Sequence, residues 1–573
     1  MYKRLGVFFA GVLSLTRGAQ LPPARPLELP PPQAIYTFDL TMQWQLSGVH
    51  YLSDGDQRYV DYDVDSMQHR LWEADPTLPC GAKQTFHGPF NNYIQADGRH
   101  RRLVAVNHQS PGPVIVLPLH ARFKVRVHNK LFTEAFTVHF HGMDNQCPIS
   151  SGAVFEYDLR ADKRGTHWYH GHLSIDRGDG MLGAVVVMEP DQSIVLDSRR
   201  TVVPDLQYAV VVQDWPLLNN HENGGNTVDG GMMRYMRGFD AVKDDNKCWE
   251  YRRYSDGAAV GGSVPLSAIL FNDKGWQNKE DITTRTNRLP LERFVVEPNQ
   301  YVMLRLIHGG FGYGILISID DHDFYVVGTD GDKIKPVLVD GVILQPGERY
   351  DILVRTKRNP DRRRYYIKGM TLETTDLTFD PVSSNTYGVS VLEYDAAVRD
   401  RFVPPVFPMK GCSSTSRCLV VNCPMKQLPS GVPVDCINVG DLEATDKDAE
   451  ALRRQDPAIL QKGYGQSDQY QEFFINTHRG RNAHMNRYSL AHPLAPPFFH
   501  SPGNLDAVTK ACNPALCPLN SDPSNPDCHC FHHLQLRSGH IVQLTIYNMG
   551  VEGKDFSFGS HHPFHMHGLY HFV

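Results

Sequence analysis

From about residue 100 the chain alternates apolar and polar positions over short runs broken by glycine, proline, asparagine and aspartate. A period of two places every second side chain on one face, which marks a half-buried strand rather than a helix. LVAVN, PVIVL, ARFKVRVHN and EAFTVHFHG run from Leu103 to Gly142 with short breaks, and GAVVVMEP (183–190) and YAVVVQDW (208–215) follow. A second block holds ERFVVEP, YVMLRLIH, ILISIDDHDFYVVGTDG and RYDILVRT. Its alternation and Gly/Asp turns predict antiparallel sandwich rather than strand–helix–strand units. A third block starts near Tyr470 with YQEFFIN and includes HIVQLTIYN (540–548). The pattern predicts an all-β chain with sandwich domains at 35–195, 200–400 and 430–573. Residues 401–436, with six prolines and four cysteines, read as an interdomain connection, and the polar stretch 441–462 reads as a short surface helix.

The start of the chain departs from this pattern. Lys3 and Arg4 precede an apolar run from Leu5 to Leu15, and small residues follow at Thr16, Gly18 and Ala19. Residues 1–19 therefore read as a secretory signal, too short to span a bilayer. No other apolar run is long enough for a membrane helix. A proline-rich leader (20–34) comes next and is expected to carry little regular structure. Export fits the eleven cysteines, which a secreted chain normally pairs. Eleven is odd, so at least one lacks a partner within the chain, and no N-x-S/T sequon occurs. At 573 residues and 41 % hydrophobic, the chain has enough apolar material to exclude global disorder. With 57 basic and 63 acidic side chains it carries a net −6, which argues against a nucleic-acid partner.

The composition stands out in histidine. Thirteen of 28 histidines fall within 139–172, 529–533 and 561–571. In strand context, FTVHFHG puts His139 and His141 on one face, and THWYHGH puts His170 and His172 on a face shared with Trp168. His167 has the opposite parity and is discounted as a ligand. HHPFHMHG sets His565 and His567 on one face, while His562, before Pro563, leads elsewhere. One H-x-H pair is as readily two unrelated surface histidines. Three such pairs point to a metal centre, because neutral imidazole suits copper, zinc, iron and nickel. Six imidazoles exceed one zinc site, which usually takes four ligands, often thiolates.

VHFHG (138–142), THWYHGH (166–172) followed by DGMLGAVVV (179–187), and HPFHMHG (562–568) resemble the motifs of the multicopper oxidases, the family of laccases, ascorbate oxidase and ferroxidases. SPGPVIVL (110–117), SIDDHDFYVVGTDG (318–331) and VDGVILQPGERYDILV (339–354) extend the resemblance over most of the chain from about residue 100. The cysteine-rich CPLNSDPSNPDCHCFHHL (517–534) is similar to the animal laccase-like subgroup, where these cysteines form disulfides. The resemblance implies tandem cupredoxin-like Greek-key β-sandwich domains, the third incomplete. It implies a type 2 copper on His139 and His565, and a type 3 pair on His141, His170, His172 and His567. His562 becomes one ligand of a type 1 copper. The implied activity is one-electron oxidation of phenols, catechols or ferrous iron coupled to four-electron reduction of dioxygen to water, in a secreted protein.

The sequence also departs from the family. No H-C-H motif follows the third copper motif, so seven of the family's ten histidines are present and its type 1 cysteine is not. CHCFHH (528–533) has the wrong order and pattern to replace it. His532, His533 and His571 read as strand residues. HGMDNQCPI (141–149) lacks the family's loop carrying a proton-delivering aspartate. Asp144 is the substitute candidate, beside the reading of a solvated loop acid. These losses predict little oxidase activity from this chain and keep a second reading open, a non-catalytic secreted copper-binding protein on the same fold. A zinc hydrolase using H-x-H would need alternating strands and helices, which the turn-rich strand pattern argues against.

Overall fold

A computed structural model describes residues 22–51, 57–63, 68–74, 82–87, 93–98, 100–132, 134–143, 148–172, 176–216, 266–275, 289–310, 312–372, 386–398, 401, 403–407, 409, 411–423, 433–445, 470–479, 483–491, 509–518, 528–538, 540–547 and 564–567. The signal at 1–19, Asp144 and His562 lie outside them.

Strand alternation builds the first sandwich. In Arg122–Asn129, Phe123, Val125 and Val127 are buried, while Arg122, Lys124 and Arg126 face outward. The outward side chains pair across strands, Arg122 with Asp158 at 2.6 Å and Arg126 with Asp39 at 2.9 Å. Such exposed pairs contribute at most about 1 kcal/mol each, so the apolar face supplies the stability. This strand lies between Val154–Arg160 and Tyr36–Leu46, and Arg102–Val106 completes the sheet. The facing sheet is ordered Ile115–Pro118, Leu182–Met188, Gly165–Gly171, Val138–Phe140. Leu182–Met188 is buried at every position. One face meets the domain's own core, and Leu182 and Ala184 pack with Val211 and Ile307 of the next domain.

Between Tyr36–Leu46 and Arg102–Val106 the chain inserts a four-stranded meander: Val49–Tyr51, Gln57–Asp63, Gln68–Ala74 and Ala82–His87. These strands are rich in polar and charged residues, so no apolar period announces them.

The second sandwich has two seven-stranded sheets around one aliphatic and aromatic core. The antiparallel reading of the second block needs correction, because its sheets are mixed, as are those of the first. Tyr36–Leu46 runs parallel to Arg122–Asn129, and Leu206–Pro216 parallel to Tyr301–His308. Strands far apart in sequence meet as neighbours here, which lets parallel pairs form without tight hairpins. The stretch 401–436 is more than a connection. Cys418–Val421 and Val434–Ile437 add two parallel strands to the second sandwich, placing Val434–Ile437 there rather than in the expected third domain. Buried Val420 and Val421 anchor the addition, and the Cys412–Cys418 and Cys423–Cys436 disulfides staple it. In the stretch expected to be helical, Ala444 bridges to Ile334 and residues 442–445 are not helical; 446–462 lie outside the described residues.

The third block is smaller among the described residues. Tyr470–Arg479 sits between Ala483–Met485 and a parallel Ile541–Tyr547. Beside it, Cys512–Cys530 and Cys517–Cys528 confirm the disulfide reading of the C-H-C stretch. All eight described cysteines are in disulfides; Cys80, Cys147 and Cys248 lie outside the described residues.

The leader has no regular structure from residue 22 to 33, as expected, yet it is docked. Ala24 N–H donates to the Arg293 carbonyl and Leu27 N–H to that of Gln207, one on each sheet of the second sandwich. Tyr36 then donates its hydroxyl to the Pro31 carbonyl at 3.0 Å. The two sandwiches press together where Gly165 (φ +95°) meets Gly331 (φ +92°). A Cβ on Gly165 would lie 2.5 Å from the Gly331 Cα, so only glycine permits this approach.

Candidate metal centre

Val138–Phe140 buries Val138 and Phe140 in the first core and turns His139 to the other face. Its antiparallel partner Gly165–Gly171 sets His170 directly opposite His139. Residues opposed across a ladder share a face, so the register delivers the two imidazoles side by side. The pairing continues past the strand ends. His141 N–H donates to the Trp168 carbonyl at 2.9 Å, and His172 N–H to that of Thr137 at 3.0 Å. Four histidines thus project from one face of two strands, as the parity argument expected.

Phe564–His567 brings the third pair. His565 Nε2 lies 3.2 Å from His139 Nε2, and His567 stacks on His139 with centroids 3.9 Å apart. His172 meets His567 edge-on at 4.8 Å. His139, His141 and His170 are buried; His172, His565 and His567 are exposed. Two sets of donor atoms cluster within 4.8 Å: His139, His565 and His567, and His139, His141 and His170. His139 belongs to both.

The electrostatics favour ligation. Burial, then repulsion from neighbouring imidazoles, holds His139 far below the ordinary histidine range. Burial likewise drives His141 and His170 well down, with neighbouring histidines and Arg349 or Arg177 adding to it. His172 is lowered and His567 falls to about 4, both chiefly through desolvation. These groups are neutral near pH 7, the state in which imidazole binds a metal.

The tautomer of His170 is set by its neighbour. The Gly171 carbonyl can only accept, so His170 Nδ1 donates to it at 2.7 Å and Nε2 keeps its lone pair. That Nε2 faces His141 Nε2 at 3.0 Å. Two donors about 2.0 Å from one metal at near a right angle stand roughly 3 Å apart, so both close Nε2 pairs fit a shared ion. Among the described residues, His139 Nδ1 and His141 Nδ1 are buried without a hydrogen-bond partner. This donor set, all imidazole and multinuclear in extent, fits copper.

Two models of the family described as multicopper oxidase match residues 91–192 and 243–397. Residues 91–192 and 243–397 are thus multicopper oxidase domains. It is similar to an L-ascorbate oxidase of Brassica rapa subsp. pekinensis, 26 % identical over 287 residues, covering 48 % of this chain and 47 % of that protein. It is also similar to a putative laccase-9 of Oryza sativa subsp. japonica, 27 % identical over 353 residues, covering 58 % of this chain and 54 % of that one. The chain spans about half the length of the curated relatives it matches. The crystal structure of Fet3p, a multicopper oxidase that functions in iron import, aligns at 16 % identity with a TM-score of 0.46, covering 77 % of this chain and 61 % of that chain. Family membership and sheet order together make the sandwiches tandem cupredoxin-like domains, in a family of copper-dependent oxidoreductases.

The structure brings together six of the seven histidines singled out from sequence; the seventh, His562, lies outside the described residues, as does Asp144. His167 stays apart, its Nε2 bonded to the Lys163 and Arg164 carbonyls. Sequence reasoning missed what backs the centre. Trp168 stacks on both His141 and His170, and Thr166, two residues earlier, is held by Arg305 and Asp351. The period-two face that carries Trp168 and His170 also carries Thr166, and that parity was the available signal.

Proposed function

We propose that the six clustered histidines bind copper and that the chain is a laccase-like oxidase. The carrying observation is the convergence of imidazoles from 139–141, 170–172 and 565–567 with facing Nε2 atoms 3.0 and 3.2 Å apart. His139 and His565 are assigned to a type 2 ion, and His141, His170, His172 and His567 to a type 3 pair. His562 is assigned to a type 1 site. Bound copper would supply the stepwise transfer of single electrons from a phenol, catechol or ferrous ion to dioxygen, four electrons giving two waters. The protein's part is to hold neutral imidazoles in place. Burial keeps protons off them, the Gly171 carbonyl fixes the His170 tautomer, and the strand register sets their spacing. Paired cysteines support a secreted protein.

A second reading has one observation behind it. Every described cysteine is in a disulfide and the 573 residues hold no H-C-H motif, so no thiolate is identified for a blue copper. On that reading this polypeptide binds copper without turning over. Elemental analysis, the visible spectrum and oxygen uptake with catechol or ferrous iron separate the two. Copper with oxygen uptake supports the oxidase reading; more than one copper per chain with no blue thiolate band and little uptake supports the second. A blue band with uptake would overturn the second reading, and failure to retain copper would refute both.

A further inference from the structure

We infer that the second sandwich aligns the buried histidine pair through Trp168, a positioning residue. This rests on the copper-binding reading of the same histidines. A ligating imidazole needs its plane held, because its ring torsion is broad. The usual device is a hydrogen bond from the second ring nitrogen to a carbonyl or carboxylate. His170 has one, to Gly171. Among the described residues His141 has none at Nδ1. It has instead a flat partner. The fully buried Trp168 indole lies 4.7 Å from the His141 ring at 29°, and 4.1 Å from the His170 ring at 25°. One rigid surface therefore lies against both imidazoles of the close Nε2 pair. The Trp168 carbonyl also accepts the His141 backbone N–H, so ring and backbone are held by one residue.

The second domain fixes Trp168. Val211 and Ile307 pack against it in a small cluster with Leu182 and Ala184. One step back along the same strand face, Arg305 donates to the Thr166 hydroxyl at 3.1 Å and to Asp351 at 2.8 Å, and the Thr166 hydroxyl donates to Asp351. Arg305 also donates to Gln207 Oε1 at 2.7 Å, and Arg349 Nε to the Thr166 carbonyl at 3.2 Å. Neither described histidine of this domain, His308 nor His322, reaches the centre. Its contribution is to clamp the strand whose next two same-face residues are Trp168 and His170.

The test is copper(II) affinity of the full chain, measured by chelator competition, in the wild type, Trp168→Leu, Trp168→Phe, Ile307→Ala and Leu304→Ala. Loss of an outer-shell partner typically weakens metal binding by about 10- to 100-fold. Trp168→Leu, which stays apolar but loses the flat face, is expected in that range. Trp168→Phe should recover to within a few-fold of wild type. Ile307→Ala should fall between, with the copper(II) EPR spectrum of the pair altered. Leu304→Ala, a cavity in the second core away from Trp168, lowers the melting temperature but should leave affinity unchanged. Wild-type binding with unchanged affinity in Trp168→Leu and Ile307→Ala overturns the inference, as does an equal loss in Leu304→Ala. If Trp168→Leu does not fold, Ile307→Ala against Leu304→Ala decides. A wild type that binds no copper refutes the functional reading and takes this proposal with it.

Discussion

Buried histidines occur in both sandwiches, and their environments are opposite. In the second, His308 accepts the Gly310 N–H at Nδ1 and donates from Nε2 to the Tyr313 carbonyl. His322 donates from Nδ1 to the Asp320 carbonyl, and its Nε2 pairs with the Tyr394 hydroxyl at 2.7 Å. Every ring nitrogen there is used by the protein. In the first, His139 and His141 each leave Nδ1 without a partner among the described residues, and their Nε2 atoms face other imidazoles. An unmet buried polar group costs about 1–3 kcal/mol, and these two are among several in the first sandwich, His167 Nδ1 and Trp168 Nε1 included. A metal held between the facing Nε2 atoms would give them the partner that the polypeptide does not supply. The destination of Nε2 therefore separates structural histidines from ligands: protein oxygens in His167, His308 and His322, other imidazoles in His139, His141 and His170.

The sharpest break would come from truncating one histidine of each kind. His141→Ala should weaken copper binding by more than about 100-fold, beyond the loss typical of an outer-shell partner, while the metal-free melting temperature changes little. His308→Ala should leave copper affinity intact and destabilise the second sandwich by about 2–4 kcal/mol, through a cavity and two lost hydrogen bonds. Thermal melts read beside chelator competition check both. A copper loss in His308→Ala equal to that in His141→Ala would erase the comparison.

A smaller effect should appear with pH. Burial holds His322 at about 4, below its ordinary value near 6.5. The native state then binds fewer protons than the unfolded chain between those values. Stability is whole above pH 6.5 and falls as the pH drops toward 4, by about 3 kcal/mol in all. His322→Gln should flatten that slope in metal-free chain unfolded by denaturant across the window. An unchanged slope would show that His322 is not the group responsible.

Much of the centre was legible because strand parity is a two-state code. In a strand, His139 and His141, and likewise His170 and His172, must share a face. The backbone ladder then places His170 opposite His139 without further information. The disulfides of the C-H-C stretch were legible from the family resemblance. The rest depended on contacts between distant segments. Thr166 reads as an ordinary strand residue until Arg305 and Asp351, more than a hundred positions away, close on it. The 401–436 stretch looks like a linker because prolines and cysteines break up its apolar positions, yet four residues around Val420 suffice to extend a sheet. The 49–87 meander carries charges through its strands and shows no apolar period. The proline-rich leader has no pattern to read, since its hydrogen bonds go to other strands rather than within itself.

His139 is common to both donor clusters, so its removal tests the account most directly. The measurement is copper content per chain after loading and exhaustive dialysis, wild type against His139→Ala. The account predicts more than one tightly held copper in the wild type, and a loss of at least one equivalent from that single substitution, with the β-sheet circular dichroism unchanged. Equal copper in the two proteins, or none in the wild type, would contradict it.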